Sequence, residues 1–173
     1  EPDYEKAIYY YNLSISNSNP PYPVACWSLG YILQAGYCSD NDNSKTNIDK
    51  AKYYFSLAGK YPPAICNLSK IILSETDSQI NSLTCEEIIN QYSLALNMAN
   101  EAATYDWFYG HNIIAQFLIK HEKDNELLNE IKKYINFPES FDSISQLKLS
   151  CEYNNPWAIH ALSMEYIKNN NLK

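Results

Sequence analysis

The residues from Ala25 to Ala64 restrict the fold more than any other part of the chain. They carry two apolar stripes at helical spacing, separated by a polar loop. Ala25, Leu29 and Leu33 recur four residues apart, and Ala51, Tyr54, Phe55 and Ala58 follow the i, i+3, i+4, i+7 pattern of a helix buried along one side. Gly30 on the first stripe and Ala58 on the second are small enough to let two helix backbones approach closely. Ala64 then begins the first pattern again. A chain written this way is expected to repeat a helix–loop–helix unit.

The stretch resembles the Sel1-like repeats, a branch of the tetratricopeptide-like helical hairpins with the approximate signature AxxxLGxxYxxG, a loop, then DxxKAxxYYxxAAxxG. Ala25, Leu29, Gly30 and Gly36 match its first half; Lys50, Ala51, Tyr54, Phe55 and Ala58 match its second. Leu33 stands where the family has Tyr, and the DxxK spacing is lost. The match is strong in this unit and degenerate in the others. The resemblance implies an all-α, right-handed α-solenoid of stacked antiparallel helical hairpins, forming a single domain over residues 1–173.

Periodicity and capping residues predict helices over 3–16, 23–36, 48–59, 62–75, 85–98, 104–120, 124–136, 140–153 and 156–169. Asp3 can cap the first, Asn47 the third and Asn155 the last, and Thr84 with Glu87 forms a capping box. Cys38 to Lys45 reads as a polar loop. Small residues are expected at close helix crossings: Gly30, Ser69, Gly110 and Ser163 in first helices, and Ser14, Ala58, Ala95 and Ser150 in second helices. Successive first-helix positions lie 39, 41 and 53 residues apart. The long last interval leaves two registers open for 124–153, an inserted helix or a degenerate hairpin. Because the chain opens at Glu1, midway through a repeat, it is expected to be a segment of a longer protein.

Composition limits the chemistry. All 13 basic residues are Lys and the net charge is −7, so the bidentate guanidinium contacts that read phosphate and guanine are absent. Nucleic acid and anionic membrane are poor partners for such a surface. No apolar run reaches membrane-spanning length, so no membrane insertion is expected. The five Cys show no CxxC and no paired spacing, which favours free thiols and a reducing, cytoplasmic compartment. His111, His121 and His160 have no partner at metal-ligand spacing; His121 ends a predicted helix, where an imidazolium suits the dipole. No nucleophile motif or phosphate-binding loop occurs. Neither catalytic residues nor a cofactor nor a metal is expected, and the chain reads as no enzyme.

What remains is a binding surface. By analogy with related solenoids, the first helices present a concave face that includes Trp27, Tyr31, Asn67, Lys70, Trp107, His111, His160 and Met164, with Ser28, Cys66, Phe108 and Ala161 beside them. This composition suits an adaptor or scaffold that binds a protein or peptide. Two alternatives stand beside it: a dedicated inhibitor or immunity-type protein that blocks one partner, and an enzyme with an unrecognised site.

Overall fold

The structure, a computed structural model, describes residues 2–37, 44–105, 107 and 109–170. Among them the protein is all-helical, with no strand. The helices are α1 (Tyr4–Ser16), α2 (Pro23–Gln34), α3 (Ser44–Leu57), α4 (Pro62–Gln79), α5 (Cys85–Thr104), α6 (Tyr109–Lys120), α7 (Asn125–Lys132), α8 (Ser143–Glu152) and α9 (Pro156–Asn170), with a 3₁₀ turn at Pro138–Ser140. The polar loop placed at 38–45 lies largely outside the described residues, as does Phe108.

Local chemistry sets the helix starts. Asp3, Thr84, Asp124 and Asp142 each accept a backbone N–H from three residues ahead. Glu87 returns the contact to the Thr84 N–H at 2.8 Å, completing the capping box. Pro23, Pro62 and Pro156 open α2, α4 and α9, where a missing N–H forfeits no helical bond. Gly36 closes α2 at φ +71°, its N–H reaching Leu33 O while Tyr37 N–H reaches Ile32 O. This paired arrangement needs a left-handed residue, which explains a glycine there.

Several boundaries differ from expectation. Helix α3 begins at Ser44, so Asn47 is no cap but a buried residue inside the helix. Helix α4 runs on to Gln79 because Thr76 extends its buried side and donates to Gln91 Oε1 at 2.7 Å. Helix α5 continues to Thr104, since Ala99, Ala102 and Ala103 prolong the buried stripe and nothing breaks it. In consequence α6 starts at Tyr109, not at 104, and Tyr109 sits exposed at its first position rather than buried like Leu29. Helix α2 stops at Gln34, and α7 stops at Lys132.

The chain falls into two compact units, Glu1–Leu68 and Ser69–Lys173, with the boundary inside α4. In the first unit α2 packs on α1 and on α3. Ala25, Leu29, Leu33, Ala51, Phe55 and Ala58 are buried, as their spacing predicts, whereas Tyr54 of the same stripe is half-buried. A Cβ added to Gly30 would stand 2.7 Å from the Phe55 ring and 3.2 Å from Ala51 O. The side chain is absent because α3 occupies its place.

In the second unit α5 packs on α6 and on α7, and α8 packs on both α6 and α9. Between α6 and α8 the chain forms a further helix, α7, which packs on α5. Asn97 of α5 anchors its end, donating to Tyr134 O at 3.1 Å and accepting the Asn136 N–H at 2.8 Å. The small-residue positions recur here. Ser69 is buried and donates to Ala95 O at 2.7 Å, and a Cβ on Gly110 would stand 2.1 Å from Ala99 O. Ala58, Ala95 and Ser150 are buried as well, whereas Ser14 is only half-buried. Ser163 departs from the pattern: it is exposed, and its hydroxyl turns back onto Ile159 O of its own helix.

Candidate functional site

In the first unit, three of the expected binding residues come together. Trp27 and Tyr31 lie one turn apart on α2, with ring centres 5.9 Å apart, and Tyr61 meets Trp27 edge-on at 6.0 Å. Asn67 of α4 accepts from Trp27 Nε1 at 3.4 Å and donates to Gln34 Oε1 at 2.7 Å. The amide chain holds the indole in place while leaving Trp27 half-buried and Tyr31 exposed. Such a platform offers aromatic area, phenol hydroxyls and hydrogen-bonding amides.

In the second unit, α4 and α6 present matching stripes. Lys70, Leu73, Ser74 and Asp77 face Ile113, Gln116, Phe117 and Lys120, both at i, i+3, i+4, i+7 spacing, around a cavity of about 220 Å³. Ile113 and Phe117 are buried beneath it, whereas Ser74 and Gln116 are exposed at its rim. At one end the Lys70 ammonium lies 5.0 Å from the centre of the Tyr109 ring, and Trp107 stacks on that ring at 6.0 Å. Lys70 and Trp107 are thus joined through Tyr109, one turn before Ile113 on the same side of α6.

A polar cluster closes the other end. Asp77 Oδ1 accepts from the Tyr92 hydroxyl at 2.7 Å, and its Oδ2 pairs with Lys120. Burial, and then the bond to Asp77, pushes the Tyr92 phenol well above its ordinary pKa. His121 packs against Phe117 and Tyr92, with Nε2 buried and 3.9 Å from Asp77 Oδ1, beyond hydrogen-bonding reach. Burial lowers its pKa, against the smaller upward pull of Asp77. His121 is therefore a largely buried imidazole whose surroundings disfavour the charged form, which runs against the dipole-stabilising cation expected from its place at a helix end.

The other expected residues lie apart from these surfaces. His111 faces α8, where Gln146 Oε1 is 3.0 Å from its Nδ1. Because the Gln146 amide nitrogen donates to Ser140 O at 2.8 Å, its oxygen accepts, and His111 Nδ1 carries the proton. His160 and Met164 are exposed on α9. Cys66 is buried in α4, with the character of a core thiol rather than a surface contact. Gln34, Tyr61, Tyr109, Asp77 and Lys120 escaped sequence reading. The one available signal was the shared helical spacing of the two stripes on α4 and α6.

Among the described residues no three His, Cys, Asp or Glu side chains gather as a metal site, and no helix is long and apolar enough to cross a membrane. Comparison with known protein families, curated proteins and solved structures returns no match. The resemblance to Sel1-like repeats rests on the residues of the 25–64 stretch.

Proposed function

We propose that the chain is a non-enzymatic protein-interaction module, an α-solenoid of the Sel1-like kind, which binds a protein or peptide on the faces of α2, α4 and α6 and acts as an adaptor or scaffold. One observation carries the reading. Trp27, Tyr31, Asn67, Lys70 and Tyr109 on these helices, with Trp107 just before α6, are at least partly exposed and linked through mutual contacts, around Trp27 in one unit and beside the α4–α6 cavity in the other. Fixed aromatics lose little conformational freedom on binding and supply most of the energy at protein interfaces. The recurrence of small residues at Gly30, Ser69 and Gly110, each against a backbone carbonyl of a neighbouring helix, supports the repeat reading.

The test begins with capture from the native source and identification of the bound protein by mass spectrometry. Affinity for that purified partner is then measured for Trp27→Ala and Trp107→Ala. Each is expected to weaken binding by about 30-fold, the size of a loss near 2 kcal/mol. The exposed α7 change Asn129→Ala should leave binding unchanged. Normal affinity in both Trp variants, with helical content intact, would refute the reading.

A further inference from the structure

The cavity between α4 and α6 has a size and a charge that narrow what it can hold. At about 220 Å³ it falls below the range of roughly 300–1,000 Å³ that encloses a small-molecule ligand, but it accommodates one side chain. Its floor is apolar, formed by Leu73, Ile113 and Phe117. The charges at its ends are not equivalent. Asp77 is already engaged by the Tyr92 hydroxyl and by Lys120, which cancels the Lys120 charge. Lys70 is different: among the described residues its ammonium meets the Tyr109 ring and no carboxylate. Among the described residues the cavity therefore carries about one uncompensated positive charge, at its Lys70 end, on a chain whose net charge is −7. Screening within about 8 Å confines the wider acidic field, so Lys70 governs what lies against it.

We propose that this cavity takes an aliphatic side chain of an extended partner segment whose residue two positions further on, and therefore on the same face, is acidic, the carboxylate pairing with Lys70. The inference rests on the protein-binding reading above and specifies the partner of the same surface. Ser74 and Gln116, exposed on opposite walls, are placed to hydrogen-bond the backbone of such a segment. Lys70 is exposed and its ammonium lies 5.0 Å from the Tyr109 ring, on which Trp107 stacks, so the charge is held at the cavity's rim and open to a partner. The recognised feature lies inside a chain, so no free terminus is required.

Three acetylated and amidated peptides serve as probes: Ala-Leu-Ala-Glu-Ala, Ala-Leu-Ala-Gln-Ala and Ala-Leu-Ala-Lys-Ala. Each is titrated into the isotope-labelled full chain while the amide signals of Leu73, Ile113 and Phe117 are followed by NMR. The Glu peptide is expected to bind about 5-fold more tightly than the Gln peptide, near 1 kcal/mol, with the Lys peptide weakest. Lys70→Gln should erase the Glu preference, bringing the Glu and Gln peptides to equal affinity, which a merely structural role for Lys70 would not produce. Equal binding of the Glu and Gln peptides in the cavity refutes the carboxylate rule and leaves the protein-binding reading standing. Shifts confined to other helices, or none at all, refute the cavity as a docking site. The affinities of Trp27→Ala and Trp107→Ala for the captured partner then decide the protein-binding reading separately.

Discussion

Gly110→Ala separates a backbone crossing from ordinary side-chain packing. An added Cβ at position 110 would lie 2.1 Å from Ala99 O, 2.8 Å from Ala103 N and 2.9 Å from Ala103 Cβ. Two of these three atoms belong to the α5 backbone, so no rotamer change relieves the clash and α6 must move off α5. Alanine in place of glycine would by itself stabilise a helix by about 1 kcal/mol. Overpacking typically costs about 1–3 kcal/mol, more when the neighbours cannot yield. The net expectation is a loss of about 1–3 kcal/mol for Gly110→Ala. Gly30→Ala is the matched control, because its nearest neighbours are Phe55 ring atoms at 2.7 and 2.8 Å, and a ring can tilt. There the propensity gain and the clash should nearly cancel, leaving a change within about 1 kcal/mol. Guanidinium unfolding followed by far-UV circular dichroism gives both values. If Gly110→Ala is as stable as the parent, or if Gly30→Ala is the worse of the two, the crossing of α5 and α6 is not as described.

Stability should fall on mild acidification through His121. Burial holds its folded pKa below the ordinary 6.5, so the unfolded chain takes up the proton first as pH drops. Its contribution is fully present above about pH 6.5 and is lost as pH falls through the lowered folded value. His121→Phe should therefore flatten the stability profile between about pH 7.5 and 5.5, a window above the carboxylate range; an unchanged slope would show that His121 is not buried in neutral form. Thr84→Ala removes both the cap and the partner of Glu87, and thermal unfolding should reveal a loss of about 1 kcal/mol. Alkylation of the unfolded protein without reductant should label all five Cys, and two or more protected pairs would contradict the free-thiol reading.

Features written within one or two helical turns were legible in the sequence. The buried sides of α2 and α3 followed from the spacing of Ala25, Leu29, Ala51 and Phe55, and the starts of α1 and α5 from Asp3 and Thr84. Asn47 misled because its residue type suits a cap while its neighbours carry the helix past it. The end of α5 was hidden for the opposite reason: Ala99 to Ala103 contain no breaker, and only packing decides where the helix stops. The candidate site was half legible. Trp27, Tyr31, Lys70 and Trp107 were named from the resemblance to helical repeats, but Asp77 and Lys120 lie 43 residues apart, and nothing local pairs them. His111 turned toward α8 because α6 packs directly on that helix, and its partner Gln146 lies 35 residues away, where nothing local announces it.

Hydroxyl-radical footprinting suits a chain with 16 Tyr and 3 Trp, because the reactive side chains sample most helix faces. Exposed Tyr9 and Tyr53 line a separate cavity of about 410 Å³ between α1 and α3, so they report on a surface outside the proposed one. With the captured partner bound, oxidation of Trp27, Tyr31, Tyr61, Trp107 and Tyr109 should fall while Tyr9, Tyr10 and Tyr53 react as in the free protein. Protection of Tyr9 and Tyr53, with Trp27 and Trp107 unchanged, would place the partner on α1 and α3 and contradict binding through α2, α4 and α6.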